Sequence, residues 1–247
     1  MSLHPDVQKM ILKVEELSGR LVHVIEDPGL QLMASVQIAR GIAPAHILRY
    51  RPGTQAVDYL ICHQLGFLVR LFSCPAEERW QVLATKSEHD AALNAMGLRD
   101  FPKSLADSMV NSIVIQLRTF PVGSRVDDWI LQHCPTLREQ QEHSVRAQLA
   151  DHAKALAPEI REKFPKPLID ANSAMNAAYA LNWGRILGDE RFFIPYKALG
   201  YGGKAMELLE FFQSIPDDPL ADRTLVEAWA KALGLSDAFH FASYQLS

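Results

Sequence analysis

Val7, Met10, Ile11, Val14 and Leu17 fall on one face of a 3.6-residue repeat, with Pro5 suited to a first turn and Gly19 to a stop. An amphipathic helix is predicted to open the chain. The period then changes. Segments 21–26, 35–40 and 46–50 are short alternating or β-branched runs, separated by Asp27-Pro28-Gly29 and by 41–44. They predict three strands of a small sheet. From Thr54 helical spacing returns through Ala56, Val57, Leu60, Ile61, Leu65, Leu68, Val69 and Phe72, until Ser73-Cys74-Pro75 ends it. That helix is apolar on nearly every side, which predicts its burial.

Beyond Pro75 the periodicity is helical in segments 75–83, 104–119, 125–133, 136–156, 170–187, 204–215 and 222–233, with Pro or Gly between them. No further strand is predicted. Thr136 and Glu139, directly after Pro135, have the form of a capping box, in which each side chain satisfies an amide of the other's turn. The tract 157–167 places three prolines among charges and reads as a linker. The expected organisation is therefore 1–157, a sheet with helices, and 168–247, a helical part packed on the first. The predicted fold class is α+β and predominantly helical: a small N-terminal β-sheet packed on the buried helix, followed by a helical bundle.

Composition narrows the class. Thirteen Gly and 14 Pro among 247 residues, with 48% hydrophobic and 22% charged, exclude collagen-like, low-complexity and wholly disordered chains. A chain this long buries roughly three quarters of its unfolded surface without metals or disulfides. Twenty-five Lys+Arg against 29 Asp+Glu give a net charge of -4, which argues against a nucleic-acid partner. The cysteines, Cys62, Cys74 and Cys134, are odd in number and form no CxxC pair, so a reducing compartment is expected rather than a disulfide framework. Residues 1–19 lack the apolar core of a signal peptide, and no run reaches the ~18 apolar residues of a membrane span. A cytoplasmic protein without a membrane partner is expected.

The stretch richest in chemistry is Ile47-Leu48-Arg49-Tyr50, a short loop, and a helix reading His63-Gln64-Leu65-Gly66-Phe67. Over about residues 20–72 this resembles the ImmA/IrrE-type zincin-like metallopeptidases, whose motif helix often carries His-Glu-Leu-Gly-His. The resemblance implies a strand, a loop and a motif helix, with two His one turn apart on a shared Zn²⁺ and a Glu that takes a proton from the metal-bound water. His63 matches the first ligand. Gln64 stands where the acid would be, an amide that cannot accept and return a proton at neutral pH. Phe67 replaces the second ligand and has no donor atom. Zincins draw a third ligand from a later helix, and Asp107 and Asn111 occupy a comparable place in the order of elements. The expectation is a relic site of His63, Gln64, Phe67, Asp107 and Asn111, chemically silent, with no catalytic residue. His63 is read mainly as a core histidine bonded to a carbonyl or carboxylate.

No cofactor is expected. If the chain held zinc, Cys62, His63, His133 and His143 would be its donors, yet Cys62 and His63 point about 100° apart on a helix and Pro135 separates the other two. Gly200-Tyr201-Gly202-Gly203-Lys204 reads as a turn rather than a phosphate loop, and no G-x-S-x-G elbow is present. Asn172, Asn176 and Asn182 recur at roughly helical intervals and would line a pocket if they did not merely form a polar stripe. Phe239, Phe241 and Tyr244 are expected to dock on the protein's own helices or on a second subunit. The functional expectation is a catalytically inactive zincin-like module that binds a protein, peptide or other ligand, with homo-oligomerisation open. The alternatives are a helical interaction or assembly module and a metal-dependent hydrolase built on His63 with unconventional partners.

Overall fold

The computed structural model describes residues 3–244. Its elements in order are α1 (Pro5–Ser18), β1 (Leu21–Glu26), β2 (Ala34–Gln37), β3 (Ala45–Tyr50), α2 (Val57–Ser73), β4 (Trp80–Leu83), α3 (Lys86–Ala95), α4 (Lys103–His133), α5 (Arg138–Ala153), α6 (Pro158–Lys163), α7 (Lys166–Leu187), α8 (Ile194–Ala198), α9 (Gly202–Ser214), α10 (Asp222–Ala232) and β5 (His240–Ser243). The class is α+β and predominantly helical, as its periodicity predicts.

The chain divides into two compact units. One comprises residues up to Gln81, Gly123–Ser144 and Ser243 onward, and the other Val82–Val122 and Val145–Ala242. The tract 157–167, expected as a linker, falls within the second unit and includes α6. α4 contributes its first part to the second unit and the remainder to the first.

In the first unit α1 starts and stops where its sequence directs: the His4 ring accepts the Asp6 N–H, and Gly19 closes the helix at φ 66°, a left-handed conformation that favours glycine. The sheet order is β1-β3-β2, with β1 parallel and β2 antiparallel to β3. Val22 sits opposite His46, and Leu48 opposite both Val24 and Val36, so these side chains share one face. That face joins Val7, Met10 and Val14 of α1 and Ile61, Leu65, Leu68 and Phe72 of α2 in a common core. Each such side chain, fully buried, contributes about 1.5–3 kcal/mol. His46, wholly buried, is satisfied at both nitrogens: Nδ1 accepts the Ala39 N–H at 3.0 Å and Nε2 lies 3.0 Å from the Ser18 hydroxyl. Loss of water keeps its pKa below the usual histidine value.

In the second unit α7 carries Ala171, Ala174, Ala177 and Ala178 inward with Trp183, and these small side chains let α9 pack against it through Ala205, Leu208 and Leu209. The Trp229 indole of α10 donates to the Leu208 carbonyl at 3.0 Å.

Four expectations are corrected. Segment 75–83 is not a helix but a short 3-10 turn, Ala76–Glu78, followed by β4, which pairs with β5. Segments 104–119 and 125–133 are one helix, α4, running through Pro121. Proline removes one backbone hydrogen bond there, but buried Val122, Val126 and Ile130 in the following turns hold the helix on its course. Thr136 does not cap a helix: Pro135–Leu137 is a 3-10 turn, and the Thr136 hydroxyl donates to the Asp6 carboxylate at 2.7 Å, which also lowers the Asp6 pKa. The capping box lies instead at Thr85 and Glu88, opening α3. The expected strand at 35–40 is shorter, spanning Ala34–Gln37.

Candidate functional site

α2 begins without a side-chain cap of its own. Gln140 supplies one from a distance, its Oε1 accepting the Tyr59 N–H at 3.2 Å while its Nε2 donates to Asp58 at 3.2 Å. The start of the motif helix is thereby tied to α5, since a helix N-terminus leaves amides that need acceptors.

Tyr59, His63 and Phe67 recur every fourth residue and form one stripe along α2. The Tyr59 and His63 rings lie 5.8 Å apart, and Phe67 meets the imidazole edge-on at 5.2 Å with an interplanar angle of 85°. Facing this stripe is the part of α4 that includes Gly123, Val126 and Asp127. A Cβ added at Gly123 would lie 3.4 Å from His63 Nε2 and 3.3 Å from the Phe67 ring, and one at Gly66 would lie 2.3 Å from a Val126 methyl. The two helices meet closely because glycine stands at both crossing points.

Asp127 is the acid of this cluster, with only 2% of its side chain exposed. Its Oδ1 accepts the Tyr59 hydroxyl at 2.7 Å and lies 3.6 Å from His63 Nε2, while its backbone carbonyl accepts from Gln141 Nε2 at 2.9 Å. The His63–Asp127 separation exceeds hydrogen-bond length, so the imidazole is not bonded to this carboxylate. Cys62, the neighbouring thiol, is wholly buried, and burial drives its pKa far up, so it stays protonated at neutral pH and is no nucleophile. Gln64 is half-buried beside the stripe.

The metal implied by the motif does not fit these residues. A catalytic zinc needs three protein donors and an open position. Here the second motif position is a phenyl ring packed on the imidazole. Among the described residues no group of three or more His, Cys, Asp or Glu is placed to hold a metal ion. His133 Nδ1 lies 2.9 Å from the Trp129 carbonyl with its ring stacked on that indole, and His143 is exposed.

Asp107 and Asn111 lie on the part of α4 that belongs to the second unit. Asp107 there engages His89, Oδ1 to Nε2 at 2.8 Å, and Asn111 lines a cavity in that unit. Of the asparagines, Asn176 accepts from Gln116 at 2.8 Å within the buried side of α7. Lys204 turns from the glycine turn to Glu207 and the Ala232 carbonyl. Phe239 and Tyr244 are buried, and Tyr244 meets Phe72 edge-on at 6.4 Å, so that part of the aromatic tail docks within its own chain.

Sequence reasoning misses Tyr59, Gly123 and Asp127. Tyr59 is legible as the residue one turn before His63. Asp127 is not, because it meets Tyr59 across 68 residues of chain. No family model, no curated protein and no solved structure matches the chain. No helix among the described residues is long and apolar enough to cross a membrane.

Proposed function

We propose that this protein is a catalytically inactive, zincin-like binding module, whose motif helix retains the histidine as a packing group. The observation that carries the reading is the Phe67 ring set against His63 at 5.2 Å, where a metallopeptidase would present its second ligand. Gln64 supports it, since an amide cannot act as the general base. Without a second ligand and a base, the helix no longer activates water, and what remains of such a scaffold is its capacity to hold a polypeptide.

The surface that suits such a ligand is the outer edge of β1, which among the described residues pairs with no strand other than β3. Leu21 and Ile25 project from it, 55% and 42% exposed. An extended peptide adding to a sheet edge gains backbone hydrogen bonds from the strand and specificity from alternate side chains. Selection of random peptides displayed on phage, run against the wild-type chain and against Leu21→Lys/Ile25→Lys, tests both halves of the reading. Enriched apolar sequences that bind the wild type intact and fail to bind the double variant support it. Cleavage of a peptide substrate that is abolished by His63→Ala contradicts it.

A further inference from the structure

The second unit holds a cavity of about 170 Å³ that none of the His63 cluster lines. Val110, Asn111, Val114 and Arg118 recur along one side of α4 and form one wall, while Leu83, the last residue of β4, and Ala238 line the cavity with apolar surface. Two polar groups converge with Arg118: the Asn111 amide, two helical turns before it on the same side of α4, and His89 of α3, whose Nε2 is held by Asp107 at 2.8 Å.

Arg118 is the informative residue. Among the described residues no carboxylate pairs with it and no acceptor takes a hydrogen bond from it, although it is one of the cavity's own walls. Its side chain is exposed, and the protein packed around the guanidinium strips part of its water and lowers its pKa, with no opposing charge among the described residues in compensation. A guanidinium does not lose its proton under such pressure. A cation left this way gains more from an incoming anion than a fully hydrated one does, and its planar fork matches a carboxylate in two parallel hydrogen bonds.

We propose that this cavity is a binding site for a small organic monocarboxylate with a short apolar tail, the carboxylate on Arg118 and Asn111 and the tail between Val110, Val114 and Leu83. The volume sets the size. A cavity of ~150 Å³ takes up benzene, so this one takes a tail of about six carbon atoms beside the carboxylate. Charge sets the valence. Asp107, held against the cavity's histidine, opposes a second negative charge, so a monoanion is preferred to phosphate. Small pockets of this kind, mostly apolar with a few convergent polar groups, hold ligands through orientation by the polar end and burial of the rest.

Calorimetric titration of the full chain with benzoate, isovalerate, benzamide and inorganic phosphate tests the assignment. Benzoate or isovalerate is expected to bind with a Kd of roughly 1 mM or tighter. Neutral benzamide and inorganic phosphate are expected to bind at least about tenfold more weakly. Arg118→Met removes the cation from a solvent-reachable position, and Val114→Phe fills the apolar end. Each is expected to weaken benzoate by about tenfold or more while circular dichroism stays that of the wild type. The proposal is overturned if neither carboxylate binds at ~10 mM, if Arg118→Met binds benzoate as well as the wild type, or if phosphate binds as tightly as the carboxylates. Should Val114→Phe lose its fold, Arg118→Met and the benzamide comparison decide the matter alone.

Discussion

Gly66→Ala puts a methyl group where the motif helix meets α4. The added Cβ would lie 2.3 Å from one Val126 methyl, 3.1 Å from the other and 3.3 Å from its Cβ. Rotation of Val126 does not relieve this, since all three carbons are close and a β-branched side chain in a helix has one favoured rotamer. Overpacking of this kind costs about 1–3 kcal/mol. Alanine in place of glycine inside a helix returns about 1 kcal/mol. The contact is far below van der Waals distance, so the upper end of the first figure applies and the net loss is about 1–2 kcal/mol. For a chain of this size that lowers Tm by roughly 2–8 °C, read by circular dichroism. Val126→Ala alone costs about 2 kcal/mol by leaving a cavity, because Val126 is only 2% exposed. In the double variant the methyl group added at position 66 enters that space, so the two losses fall short of their sum by about 1–2 kcal/mol. A rise in Tm for Gly66→Ala, or strictly additive losses, refutes the close crossing of the two helices.

Other consequences follow from the same geometry. Tyr59→Phe withdraws the hydroxyl from the buried Asp127 carboxylate and is expected to cost about 1.5–3 kcal/mol in urea unfolding, and an unchanged midpoint contradicts the bond. His152, packed against Phe120 and Tyr179, has its pKa pushed down to about 4 by burial. Between pH 6.5 and about 4 the unfolded chain therefore binds the proton that the folded chain refuses. Stability falls as pH falls through that window, by up to roughly 3 kcal/mol, and His46 adds in the same direction. Tm measured from pH 4 to 7 should fall less steeply with acidification in His152→Leu, and parallel curves for the two proteins refute the assignment. Thr85→Ala breaks the capping box of α3 and is expected to cost about 1 kcal/mol, which thermal unfolding of the variant checks.

What the sequence discloses is local. α1, α2 and the three strands between them are legible because each buries a periodic set of side chains, and the His63 helix reads as buried because it lacks a polar face. β4 and β5 are invisible for the opposite reason: each is four residues long, and each exists through a partner far along the chain. Pro121 marks a break that tertiary packing overrides. Thr136 has the right spacing for a cap, and a carboxylate 130 residues away takes its hydroxyl. The same division runs through the candidate site. Gln64 and Phe67 are departures visible in the motif, whereas the acid that faces His63 comes from α4, where nothing in the local pattern announces it. Asp107, singled out by its place in the order of elements, engages His89 instead.

The central claim is that His63 serves packing and not metal chemistry. Equilibrium dialysis of the wild-type chain and of His63→Ala against Zn²⁺, with elemental analysis of each, tests it most directly. The account predicts no difference in bound zinc between the two proteins. One zinc per wild-type chain, lost when the imidazole is removed, would contradict it.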